Sequence, residues 1–193
     1  MYLPGDIGIM KATAFPSKIG SWALRKFFVP YTDNFHHFII REPIPDENDY
    51  EIMESIGSGV RHGRLSWYEN YKVYRVAMPE AVEKGEMACR KYSRYGRARY
   101  DYVLFVKILI GLLLRELSIL VVEGHFRKVK CSELVYVENE SFVCTEVVDK
   151  ITELMGAPVV PEGVASLPPA VQEAIDCGKL IEVTENDESH GTL

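Results

Sequence analysis

The chain has 193 residues, 47% of them hydrophobic, which is enough for one domain with a proper core and short for two. Charged residues make up 26% and the formal net charge is −6, with a pI of about 5.4. That acidic balance argues against nucleic acid as the main partner, because a phosphate-binding surface needs a concentrated excess of Lys and Arg.

The first strand is expected over 4–11, opened by a Pro-Gly-Asp turn and rich in Ile. A helix follows over 17–28, with Ser17 as N-cap and Ile19, Trp22, Ala23 and Lys26 at helical spacing; Pro30 ends it. Strands are expected over 35–41 and 50–56, separated by Glu42-Pro43-Ile44-Pro45 and an acidic turn. After Gly57-Ser58-Gly59 come a short strand over 60–67 and another over 71–77. Residues 79–93 read as a helix with Pro79 in its first turn. Its end runs into a basic, tyrosine-rich stretch, Arg90 to Arg99, read as a solvated face or a patch for an acidic ligand, with nucleic-acid binding as the minority reading.

Residues 103–122 form the most apolar run, capped by Asp101. Lys107, Arg115 and Glu116 interrupt it, so a buried core helix is expected rather than a membrane span. Residues 129–137 and the segment before Cys144 are expected to be extended, as a hairpin across Glu138-Asn139-Glu140. A helix over 145–154 is closed by Gly156 and Pro158. A short helix over 170–177 ends at Gly178. Residues 1–183 are expected to form one domain, with 184–193 a flexible acidic tail. Strands early and helices late give an α+β class, an antiparallel sheet packed against helices.

Cys89, Cys131, Cys144 and Cys177 make no C-x-x-C pair, which argues against a metal knuckle or a disulfide scaffold. No secretory signal is visible, so a reducing, cytoplasmic setting is expected. The chemistry concentrates on Cys144, placed where a helix begins. A thiolate there is favoured by free backbone N–H groups, and the same groups can hold an oxyanion. His36 and His37 are adjacent on a strand and point to opposite faces. His36 shares a face with Phe38 and Ile40, His37 with Phe35, Ile39 and Arg41. Glu54, on a face with Tyr50, Ile52 and Ile56, is an acid among apolar neighbours and needs a partner; a histidine on the next strand would supply one. Cys131 repeats the Cys-(Ser/Thr)-Glu-apolar-Val pattern of Cys144, but strand-like residues follow it, whereas three turns of helix can follow Cys144.

Gly5-Asp6-Ile7, His37-Phe38-Ile39-Ile40, Glu54 with Gly59-Val60 and Leu65, Gly96 with Tyr100-Asp101-Tyr102, and Phe142 to Val148 occur in that order. This set resembles the circularly permuted NlpC-type papain-like superfamily, the YiiX-like cysteine hydrolases, over residues 5 to about 165. The resemblance implies a permuted papain-like fold and thiol-dependent hydrolysis of an amide or ester bond in a peptide, isopeptide, peptidoglycan-like or lipid acyl substrate. It implies Cys144 as nucleophile, His37 as base and Glu54 as the residue orienting the histidine. His36 is the alternate base, since His-x-x-Ile also fits His36 to Ile39. No metal or organic cofactor is implied. The chain departs from the pattern in the second cysteine motif at Cys131 and in a longer stretch over 117–140.

Two other readings stay open. One is a lipid acyl hydrolase or acyltransferase with peripheral lipid contact, using the apolar helix and the aromatic surface around Trp22, Phe27 and Phe28. The other is a catalytically silent binding module on the same fold.

Overall fold

A computed structural model describes residues 1–11, 15–30, 32–56, 59–93, 110, 111, 114, 128 and 144–184. The expected cap at Asp101, most of the helix over 103–122, the hairpin over 129–143, Cys131, residues 94–99 of the basic stretch and residues 185–193 of the tail lie outside them.

The elements in chain order are β1 (Ile7–Lys11), α1 (Phe15–Phe27), β2 (Asn34–Pro43), β3 (Tyr50–Ile56), β4 (Gly59–Arg64), a 3-10 turn (Leu65–Trp67), β5 (Tyr71–Val76), α2 (Pro79–Val82), α3 (Gly85–Tyr92), α4 (Cys144–Met155), α5 (Pro168–Asp176) and β6 (Leu180–Val183). The six strands form one sheet in the order β4-β3-β2-β1-β5-β6, with every neighbouring pair antiparallel. This is an α+β architecture. Among the described residues no helix is long and apolar enough to cross a membrane.

β2 lies inside the sheet and is apolar on both faces. Phe38, Ile39 and Ile40 are all fully buried, which is what a strand covered on two sides requires. On one face Ile7, Ile9, Ile39 and Met53 meet Val147, Val148, Ile151 and Met155 of α4, together with Phe27 and Phe28. On the other face Met10, Phe38, Ile40, Ile52 and Val73 form a second core with Leu65, Tyr2 and Val183.

The structure changes several expectations. The helix over 79–93 is two helices, because Gly85 packs against the N-terminal turn: a Cβ there would sit 1.9 Å from the Pro4 carbonyl oxygen. The strand over 60–67 stops at Arg64 and gives way to the 3-10 turn. β6 was not expected: it is only four residues long and pairs with β5 at the sheet edge. Within the apolar run, Ile110 and Leu114 are exposed, so the expected burial does not hold at these two positions. Of the proposed aromatic surface only Trp22 is exposed, because Phe27 and Phe28 turn into the core.

Asp6, one mark of the resemblance, has a structural role. It is 1% exposed and accepts from Arg75 Nε at 2.8 Å and Nη2 at 2.7 Å. Removing one partner of a buried pair strands the other charge. Arg75→Ala is therefore expected to lower stability by about 3 kcal/mol, the low end for such pairs because Arg75 is partly exposed. Urea denaturation checks this, and the reactivity of Cys144 should be unchanged.

Candidate active site

α4 begins at Cys144. Its first-turn N–H groups have no partners within the helix, and the helix dipole favours negative charge there. Val147, Val148 and Ile151 anchor it on the sheet with no exposure. This places Cys144 at the start of β2, where its thiol donates to the Phe35 carbonyl at 3.5 Å. That carbonyl sits at a bulge. Met10 pairs with His36 and Lys11 with Asn34, which leaves Phe35 as the extra residue. A bulge bends its strand and re-aims the neighbouring side chains. The start of β2 is also tied to α5, because Thr32 Oγ1 and Asn34 Nδ2 both donate to Gln172 Oε1, at 3.3 and 3.2 Å.

His36 Nε2 lies 2.6 Å from Oε2 of Glu54. The imidazole is 19% exposed and the carboxylate not at all. Glu54 is bound from two further elements. Arg61 of β4 donates to Oε1 through Nε at 2.9 Å and Nη2 at 2.8 Å. The Tyr68 hydroxyl donates to Oε2 at 2.5 Å, and its ring stacks on Phe38 with centroids 5.4 Å apart. Both the Arg61 and the Tyr68 contacts went unnoticed in the sequence.

These contacts set the electrostatics. Burial pushes the Glu54 carboxyl up, but the bonds from His36 and Tyr68, the charge of His36 and the bond from Arg61 hold it below the usual carboxylate range. Burial alone would lower His36; bonding and attraction to Cys144 and Glu54 raise it to about 9. Burial raises Cys144, and the neighbouring imidazoles of His36 and then His37 reverse this and hold it down at about 5. The Tyr68 phenol is pushed up to about 12 by burial and by Glu54, so it stays a neutral donor.

The sequence reading paired Glu54 with His37; the structure bonds Glu54 to His36. A single residue makes the difference. Pro43 pairs with Tyr50 and Glu42 with Glu51, and an even continuation would set Glu54 opposite Ile39, on the face of His37. Arg41 is bulged out, so Ile40 pairs with Ile52 and Phe38 with Glu54. One extra residue exchanges the faces, and Glu54 shares the face of His36. His37 is fully buried on the helix-covered face, and among the described residues neither ring nitrogen has a hydrogen-bond partner. His37 also lowers the Cys144 thiol, after His36.

The arrangement supplies a thiol influenced by an imidazole, an imidazole bonded to a buried carboxylate, and a helix start whose first N–H groups have no partners within the helix. These are the parts a nucleophilic mechanism needs. No protein-family model, curated protein or solved structure matches this chain.

Proposed function

We propose that this chain is a thiol-dependent hydrolase of amide or ester bonds, with Cys144 as nucleophile, His36 as base and Glu54 as the residue that orients His36, on a permuted papain-like fold. The observation that carries the reading is the bond from His36 to buried Glu54 beside a thiol held far below its ordinary range. With Nε2–H donated to Glu54, Nδ1 of His36 takes the proton from the sulfur. The thiolate attacks the carbonyl carbon, and the oxyanion is held by backbone N–H groups in the first turn of α4. His36 returns the proton to the leaving amine or alcohol. It then takes a proton from water, which releases the acid and restores the thiol. The substrate classes are those the resemblance implies: peptide, isopeptide, peptidoglycan-like or lipid acyl.

One observation favours the silent binding module: Cys144 is only 5% exposed. The pH dependence of Cys144 alkylation separates the two, measured with iodoacetamide by mass spectrometry on folded protein. The pair titrates as a unit, and it is an imidazolium–thiolate between about 5 and about 9. Labelling is therefore expected to rise through pH 5 and then level off. At pH 6 a thiol titrating near 5 has roughly a thousandfold more thiolate than one near 9, and its lower nucleophilicity returns most of that, for a net gain of about tenfold. Turnover should fall above about pH 9, where the imidazolium loses the proton the leaving group needs, while labelling persists. A Cys144 profile that rises only near pH 9, like an ordinary thiol, would favour the binding module.

A further inference from the structure

Arg61 has no part in the proposed reaction as read from the sequence, yet it is placed to govern it. It stands on β4 directly opposite Glu54 in the sheet register. Both Nε and Nη2 converge on Oε1, the carboxylate oxygen that His36 does not use. The outer side of the guanidinium lies over the Trp67 ring, 5.3 Å from its centroid. Trp67 in turn sits where Gly63 leaves room: a Cβ at Gly63 would be 3.0 Å from the Trp67 ring and 3.3 Å from Glu54 Oε1. Glycine at 63, Trp67 and Arg61 thus form a built support at Oε1 of the carboxylate.

We propose that Arg61 is a positioning residue: by gripping Oε1 it keeps Glu54 ionised and fixed, so that Oε2 holds His36 in the orientation that serves Cys144. The inference rests on the hydrolase reading above. The charged and titratable groups facing Glu54 are His36 from β2, Arg61 from β4 and Tyr68 from the segment after the 3-10 turn. Those acting on Cys144 are His36 and His37, and Glu146 is the buried acid nearest it along α4. Among the described residues around Glu54, Arg61 is the only one with a permanent charge. A buried carboxylate that loses such a charge takes up a proton more readily. Once Glu54 is protonated it no longer stabilises the imidazolium, and the thiolate loses its counter-charge. Removal of the guanidinium charge also makes thiolate formation harder directly. Both effects push the acid side of the reactivity profile in the same direction, upward.

The test compares the parent with Arg61→Met and Arg61→Lys by two readouts. The first is the pH profile of iodoacetamide labelling at Cys144. The second is the Nε2–H proton resonance of His36, which reports protonation of the carboxylate it is bonded to. Arg61→Met is expected to move the acid limb of labelling up by about one unit, which is about a threefold loss of labelling at pH 5.5. Labelling at pH 8 should stay within about twofold of the parent. The acid-side change in the His36 resonance should move up with the limb. Arg61→Lys keeps the charge and should recover at least half of the displacement. A lowered melting temperature with an unmoved labelling limb and an unmoved His36 resonance would overturn the proposal and leave Arg61 as a stabilising surface residue. An ordinary thiol profile in the parent would instead sink the hydrolase reading. The His36 resonance would still decide whether Arg61 controls the Glu54–His36 bond.

Discussion

Glu54→Gln is expected to separate the charges at the site while preserving its shape. The amide still fills the pocket and accepts from His36 or Tyr68, but it carries no charge. Burial then acts on His36 with only Cys144 to oppose it, and the imidazole falls from about 9 towards its ordinary 6.5. The sign for Cys144 follows. A thiol is held down only while its neighbour is a cation, so its limb climbs from about 5 towards 9. Labelling at pH 6 should fall about tenfold, in keeping with the gain that activation gives. Turnover on any substrate found should fall about a hundredfold to ten-thousandfold, the range for loss of an orienting carboxylate or of general acid–base help. Stability should drop by no more than about 1–3 kcal/mol, because Arg61 can be solvated once released. A variant whose labelling profile superimposes on the parent would show that Glu54 is a structural acid and that His36 is tuned by something else.

Gly8→Ala should be the most damaging single methyl group in the sheet. A Cβ at Gly8 would lie 1.9 Å from Cε2 and 2.1 Å from Cζ of Phe38, the residue paired with it on β2. Phe38 has no exposure and nowhere to retreat, since Tyr68 is stacked on it and Tyr71 meets it edge-on, 6.1 Å between centroids. Overpacking of this kind costs about 2–3 kcal/mol, or a fall in melting temperature of roughly 5–10 °C for a domain of this size. The strain has a direct route to the chemistry, because a displaced Tyr68 loosens its bond to Glu54. Phe38→Leu in the Gly8→Ala background should restore part of the stability, and a double-mutant cycle would read that coupling. Equal losses in the single and double variants would mean that the ring is not what Gly8 accommodates.

Much of the fold was legible because it rests on patterns that the backbone enforces. β3 over 50–56 follows from a short apolar run between two turn clusters. α4 follows from Val147, Val148 and Ile151 at helical spacing, which form one fully buried stripe. The faces of β2 were read correctly too, with His36 beside Phe38 and Ile40. What could not be read was which of those faces meets Glu54, since that depends on a bulge at Arg41 that no glycine or proline announces. Arg61 is a different case, because the signal was present. Ile56 pairs with Gly59, so the connection after β3 holds two residues, and counting back from it sets Arg61 against Glu54. β6 escaped because four residues with both ends buried and the middle exposed do not alternate.

The two halves of the site have different histories along the polypeptide. His36, Glu54 and Arg61 belong to one run of neighbouring antiparallel strands, joined in sequence order as β2, β3 and β4, and Tyr68 follows directly after the 3-10 turn. The bonds that tie them together span no more than 18 residues of sequence, so little loop-closure entropy stands against forming them. Cys144 reaches them only through the docking of α4 on β2, across a separation of 109 residues between its sulfur and the Phe35 carbonyl. On the ribosome, N-terminal parts emerge and begin to fold before later ones. The base and its supports can therefore be in place while the thiol is still to be synthesised, and the nucleophile is the last component of the site to arrive.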